Sequence, residues 1–79
     1  MTGGLMYRVI DQKKTGEKMK KMLLGKGYDV KALQKYLNLS GTQSIYRWFQ
    51  GKMLPSIDNL LAISDLLGVS VEDLLEYKD

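Results

Sequence analysis

The feature that most constrains the fold is an alternation: short segments with apolar residues at helical spacing are separated by residues that start or stop helices. Asp29, Ser56 and Ser70 stand where helices would begin, because their side-chain oxygens accept hydrogen bonds from the first backbone N–H groups of a helix. Gly51 and Gly68 stand where helices would end, because glycine adopts the left-handed conformation without steric cost. This alternation predicts a compact all-α bundle of short helices.

The first two helices are predicted on either side of Gly25 and Gly27, which end the first of them. Its start is either Thr15 or, one turn earlier, Asp11, and the sequence does not choose between these caps. Met19, Met22, Leu23 and Lys26 have the spacing that places them on one face of this helix. The second helix follows its cap at Asp29, and the residues that share its inner face are Val30, Leu33 and Leu37.

The third helix is predicted to begin near residue 41 and to run to Gly51, since Ser40 and Gln43 have the spacing of a capping box. Pro55 prevents its continuation, and Ser56 caps a fourth helix. The buried stripe of that helix is predicted to comprise Ile57, Leu60, Leu61, Ser64 and Leu67. Ser70 and Asp73 repeat the capping spacing and begin a fifth helix, which carries Val71, Leu74 and Leu75.

The N-terminal residues 1–10 lack a clear helical period and are predicted to form a flexible or extended arm. Residues 11–79 then form one domain, because a chain of 79 residues encloses only one core. The sequence contains no cysteine and no histidine, which argues against disulfides, thiol or imidazole catalysis and common zinc sites. We therefore expect no enzyme activity, no metal and no cofactor.

Charge is distributed unevenly along the chain. Residues 1–52 hold eleven lysine and arginine residues against three acidic residues, a net charge of +8. Residues 53–79 hold one lysine against six acidic residues, a net charge of −5. This asymmetry favours a polyanionic partner for one face, although a lysine-rich helix is often simply a solvated surface. No apolar run is long enough for a membrane span or a signal peptide, so a cytoplasmic location without membrane association is predicted.

The third helix is predicted to have two different faces. Ile45, Trp48 and Phe49 lie on one side and are expected to pack into the core. The opposite side is polar and comprises Thr42, Gln43, Tyr46, Arg47 and Gln50. Glutamine can form two hydrogen bonds with adenine and arginine two with guanine, so Gln43 and Arg47, one turn apart, could read base edges in one major groove.

A resemblance to a known family rests on four stretches of residues 15 to 75. "TGEKMKKMLLGKG" and "VKALQKYLNLS" are similar to its first two helices and turn, and "SIYRWFQGKMLPS" to its recognition helix and Gly-Lys-x-x-Pro-Ser exit. "IDNLLAISDLLGVSVEDLL" is similar to its last two helices. The chain thus resembles the Cro and phage-repressor (XRE-type) helix-turn-helix domains. Seven residues separate Leu37 from Ile45 where the family usually has six, and Asn38 replaces the turn glycine.

The resemblance implies a lambda-repressor-like fold and a transcriptional regulator that binds double-stranded DNA with its third helix, about residues 41–50, in the major groove. The base-contacting positions it implies are Thr42, Gln43, Ser44, Tyr46 and Arg47. The phosphate-contacting positions we expect are Lys52, Gln50 and Lys31.

An alternative hypothesis is a protein-interaction module, such as an antitoxin or accessory subunit. It rests on Phe49, Met53 and Leu54, which could form an exposed apolar patch at the exit of the third helix. The sequence leaves open both this protein partner and the formation of a homodimer.

Overall fold

The computed structural model describes residues 7–79, and within them the fold is all-α, as predicted. The helices are α1 (Gln12–Gly25), α2 (Val30–Tyr36), α3 (Gln43–Phe49), α4 (Ile57–Leu67) and α5 (Val71–Leu74). None of the helices in residues 7–79 has the length and apolar character needed to cross a bilayer. Residues 1–6 of the predicted arm lie outside the described residues.

Four of the helices begin at a side-chain cap. Asp29, Ser56 and Ser70 accept hydrogen bonds from backbone N–H groups of α2, α4 and α5, as predicted. In α5 the full capping box forms, because the Asp73 carboxylate also accepts a hydrogen bond from the Ser70 backbone N–H. For α1 the cap is Asp11, which accepts from the Lys14 N–H at 2.9 Å, and this settles the choice that the sequence left open.

The predicted start of α3 is wrong. The helix begins at Gln43 rather than near residue 41, and its N-cap Thr42 makes no side-chain capping hydrogen bond, so the Ser40–Gln43 capping box does not form. Asn38 adopts a left-handed conformation with φ of 56°, and the chain from Leu39 to Thr42 is a non-helical turn. Gly41 and Thr42, which the capping-box spacing assigned to the helix, therefore belong to the turn that precedes it.

The core forms where the apolar faces of all five helices meet. Its fully enclosed side chains are Met19, Leu23, Leu33, Ile45, Trp48, Leu60, Ile63, Leu67 and Leu74. The stripe predicted for α4 is wrong at two positions, because Ile57 is 83% exposed and Leu61 is 54% exposed, whereas Ile63 is fully buried. The inner face of α4 follows Leu60, Ile63 and Leu67, so Ile57 and Leu61 are turned toward solvent.

The two ends of the described chain are joined by a short antiparallel contact, here called the terminal clasp (residues 8–11 and 76–78). Ile10 pairs with Tyr77, the Asp11 N–H donates to the Glu76 carbonyl at 2.8 Å, and the Lys78 N–H donates to the Val9 carbonyl at 2.7 Å. The division of the chain at residue 10 remains a prediction, and residues 8–10 contact the C-terminal segment.

Thr15 connects the terminal clasp to α1. Its side chain is fully buried, and its hydroxyl accepts a hydrogen bond from the Glu76 N–H at 2.9 Å. The Glu76 carboxylate also forms an ion pair with Lys18 at 2.9 Å. The first half of α1 is thus fixed on one side by the C-terminal segment.

Candidate nucleic-acid interface

The helices α2 and α3 and the turn between them form the frame of the candidate site. Leu33 anchors α2 in the core, and Asn38 ends it with hydrogen bonds from the Asn38 N–H to the Lys35 carbonyl and from the Leu39 N–H to the Gln34 carbonyl. The Gln34 side-chain amide donates to the Leu39 carbonyl at 3.2 Å and braces the turn. These contacts hold the turn that leads into α3.

Packing of α3 fixes which of its faces is displayed. Ile45 is fully buried and Trp48 is 3% exposed, and Phe49 packs against the core from the side. At 3.6 residues per turn, the opposite side of the helix must face away from the core. The exposed side chains of this outer face are Gln43, Tyr46, Arg47 and Gln50, with the half-buried Thr42 and Ser44 at its two edges.

The exit of α3 is held by a glycine in the left-handed conformation. Gly51 has a φ of 75°, its N–H donates to the Trp48 carbonyl at 3.1 Å, and the Lys52 N–H donates to the Arg47 carbonyl at 2.9 Å. This pair of hydrogen bonds is the Schellman motif that closes many helices. It fixes the backbone of Lys52 against the last turn of α3, with its side chain exposed.

The N-terminal half of α1 supports the end of α3 through two close backbone contacts that the sequence analysis missed. A Cβ on Gly16 would overlap the Trp48 carbonyl oxygen, and a Cβ on Gly51 would lie 2.5 Å from Cα of Lys13. Only glycines allow this approach. The sequence signal for this contact is the pair Gly16 and Gly51, which lie far apart in the chain. The apolar periodicity of α1 does not show that α1 meets the end of α3 at these glycines.

The outer face of α3 is not engaged in ion pairs with the rest of residues 7–79. The ion pairs there are Arg8 with Glu72 and Lys18 with Glu76, both at the terminal clasp. The Arg8 guanidinium hydrogen-bonds Glu72 and lowers the pKa of that carboxyl group, and it also lies 4.5 Å from the centre of the Tyr77 ring. The charges of Arg47, Lys52 and Lys31 are therefore available to a partner, and all three side chains are exposed.

The residues of the alternative hypothesis do not form one exposed patch. Phe49 is half-buried against the core, Leu54 is half-buried, and Met53 is 40% exposed.

The comparison with protein families decides the kind of domain. A family model described as the Cro/C1-type HTH DNA-binding domain matches residues 18–79. The chain belongs to this family. The Cro/C1-type domain is a non-enzymatic DNA-binding module, which confirms both the resemblance inferred from the sequence and the prediction that the chain is not an enzyme. Residues 12–17, the start of α1, precede the matched segment.

Solved structures share the fold of this Cro/C1-type domain. The P22 c2 repressor protein in complex with a synthetic operator is 29% identical, with a TM-score of 0.70 over 78% of this chain and 92% of that one. SinR, the master regulator for biofilm formation, in complex with DNA, is 26% identical, with a TM-score of 0.66 over 76% and 95%. The restriction-modification controller protein C.AhdI from Aeromonas hydrophila is 20% identical, with a TM-score of 0.71 over 81% and 96%. A search of curated protein sequences finds no significant match.

These comparisons confirm the lambda-repressor-like fold and identify the chain as a helix-turn-helix DNA-binding protein of the Cro/C1 type. None of them supports the protein-interaction module as its main function. The roles of individual residues of α3 stay predictions.

Proposed function

We propose that the chain is a transcriptional regulator that reads duplex DNA by placing α3 in the major groove. The outer face of α3 carries the proposal, because it displays Gln43 and Arg47 one turn apart above a buried Ile45 and Trp48. Two bidentate side chains on a rigid helix match the pattern of donors and acceptors that distinguishes base pairs in that groove. The P22 c2 repressor and SinR are bound to DNA in their structures, which supports the same partner here. A cytoplasmic location is part of the proposal.

The proposed contacts divide into base contacts and backbone contacts. The base-contacting residues are Thr42, Gln43, Ser44, Tyr46 and Arg47, and the phosphate-contacting residues are Lys52, Gln50 and Lys31. Arg47 lies on the outer face of α3, whereas Lys52 lies beyond the end of α3, where a groove wall would lie. Base contacts specify sequence, while phosphate contacts add affinity for any sequence.

Replacing Arg47 with alanine is expected to relax sequence preference, with a loss of about 1–3 kcal/mol of discrimination at one base-pair position. Lys52→Ala is the contrasting variant, and it should weaken binding to all duplexes alike. Selection of bound duplexes from a random pool supplies the operator, and fluorescence anisotropy on its single-base variants measures both effects. The proposal fails if the unaltered protein binds no duplex at low salt, or if Arg47→Ala leaves the preference at every position unchanged.

We further propose that two copies of the chain bind one operator. The seven residues of α3 extend over roughly 10 Å, which is about three base pairs, so a single reading helix recognises only a short site. Ile57 and Leu61 lie one turn apart on α4 as exposed large apolar side chains. Asp58 and Asp65 on the same helix are also exposed and would repel phosphate, so this surface suits a second protein copy better than DNA.

Replacing both Ile57 and Leu61 with serine is expected to shift the protein toward monomers in sedimentation experiments and to weaken binding to the selected operator at least tenfold, because a monomer engages one half-site. Leu24→Ser is the control, since Leu24 is likewise an exposed leucine, at 49%, but lies on α1. A selected DNA motif without a two-fold repeat would contradict the dimer and leave the DNA-binding proposal standing.

A further inference from the structure

We propose that Lys13, in the first turn of α1, is an additional contact to the phosphate backbone, on the strand that borders the exit of α3. This inference rests on the proposed function, since it assumes that α3 enters the major groove. Lys13 precedes the residues matched by the family model, which begin at residue 18. The helical period of α1 assigns it no role.

The position of Lys13 follows from the glycine at the end of α3. A Cβ on Gly51 would lie 2.5 Å from Cα and 2.9 Å from N of Lys13, so the two backbones are in direct contact. Gly16, one turn after Lys13 on the same side of α1, lies against the carbonyl oxygens of Trp48 and Phe49. The side of α1 that carries Lys13 therefore borders the end of α3.

The location of that border relative to DNA follows from the width of the groove. The major groove is about 12 Å wide and a helix with its side chains is about 10–12 Å across, so α3 fills the groove from wall to wall. Groups that stand beside α3, rather than on its outer face, would then meet the sugar–phosphate walls of the groove. Lys52, which follows Gly51 directly, is the residue already assigned to such a wall, and Lys13 is its neighbour across Gly51.

The charge of Lys13 is available for such a contact. Its side chain is exposed, and within residues 7–79 the ion pairs are formed by Arg8 and Lys18. The only acidic side chain in α1 itself is Glu17, which is exposed and forms no ion pair among those residues. A lysine so placed can neutralise one phosphate and release its counterions.

A neighbouring lysine offers a matched control. Lys14 is also exposed, also lies in the first turn of α1 and differs from Lys13 by one position, which is about 100° around the helix axis. The hydrogen bond that caps α1 at this residue uses the Lys14 backbone N–H, so changing the side chain leaves the cap intact. Lys13→Gln and Lys14→Gln alter net charge equally and stand at the same end of the helix dipole.

The experiment compares these two variants with the unaltered protein in fluorescence anisotropy titrations of the selected operator and a scrambled duplex at several salt concentrations. For Lys13→Gln, the slope of log affinity against log salt should become less negative by about 0.9, with affinity lower by roughly five- to tenfold at 0.1 M salt for both duplexes. For Lys14→Gln, the slope should change little. Lys13→Arg should restore the slope of the unaltered protein.

Equal changes in both variants would mean that α1 acts only through long-range attraction, and an unchanged slope in Lys13→Gln would mean that no contact exists; either result overturns the inference. Failure of the unaltered protein to bind DNA would instead overturn the proposed function. Thermal unfolding of each variant checks that the exposed substitutions leave the fold intact.

Discussion

Replacing Gly16 with alanine is expected to lower the free energy of unfolding by about 2–3 kcal/mol, even though alanine is the better helix former. The added Cβ would overlap the Trp48 carbonyl oxygen and would lie 3.0 Å from the Phe49 carbonyl oxygen. Both atoms belong to the backbone of α3, so no side-chain rotation relieves the overlap and the two helices must separate. Urea unfolding followed by circular dichroism measures the loss.

The same helix contains the control for this substitution. Gly25 ends α1, and a Cβ placed there would meet nothing within 4 Å. Gly25→Ala should therefore leave stability unchanged or raise it by up to about 1 kcal/mol. If both variants change stability alike, the close contact between α1 and α3 does not exist as described. In Gly16→Ala the folded fraction should also bind DNA more weakly, because the displacement moves the end of the reading helix.

Helix boundaries could be predicted from the sequence where the interaction that sets them is local. Asp29, Ser56 and Ser70 each cap a backbone N–H three residues away, and Gly51 closes its helix with hydrogen bonds inside the last turn. Such contacts depend on residue type and spacing, both of which are visible in the sequence. The left-handed Asn38 belongs to the same class, since asparagine tolerates that conformation.

Predictions failed where the deciding contact was distant in sequence. The helix α4 is apolar on most of its circumference, so its composition allowed Ile57 and Leu61 on the inner face as readily as Ile63. In the structure Ile63 packs against the other helices and is buried, whereas Ile57 and Leu61 are exposed. Thr15 looked like a cap, but it is instead a buried partner of Glu76, far along the chain.

The candidate site likewise has one part that could be predicted from the sequence and one part that could not. Its outer face could be predicted because Trp48 and Ile45 have to be buried somewhere in so small a core, and this orientation exposes Gln43 and Arg47. The support of α3 by α1 could not be predicted, because it depends on backbone contacts between residues more than thirty positions apart. Lys13 therefore entered the proposed interface only with the structure.

The burial of Trp48 leads to the second large expected effect. Trp48→Ala should lower the free energy of unfolding by about 3–5 kcal/mol, because it removes a large enclosed side chain and leaves a cavity between α3 and the rest of the core. The side chain is only 3% exposed. A domain of this size is stable by roughly 4–12 kcal/mol, so the variant would lose a large share of its stability. Urea unfolding followed by circular dichroism is suitable, since it does not depend on the fluorescence of the removed tryptophan.

Tyr46→Ala is the matched variant, because it removes an aromatic ring from the other face of the same helix. Tyr46 is 50% exposed, so its loss should change the free energy of unfolding by about 0.5 kcal/mol or less. Its effect should appear instead in DNA affinity, since it lies on the proposed reading face. The two substitutions thus separate the role of α3 in folding from its role in recognition. Equal losses of stability in both variants would show that α3 does not present the faces described.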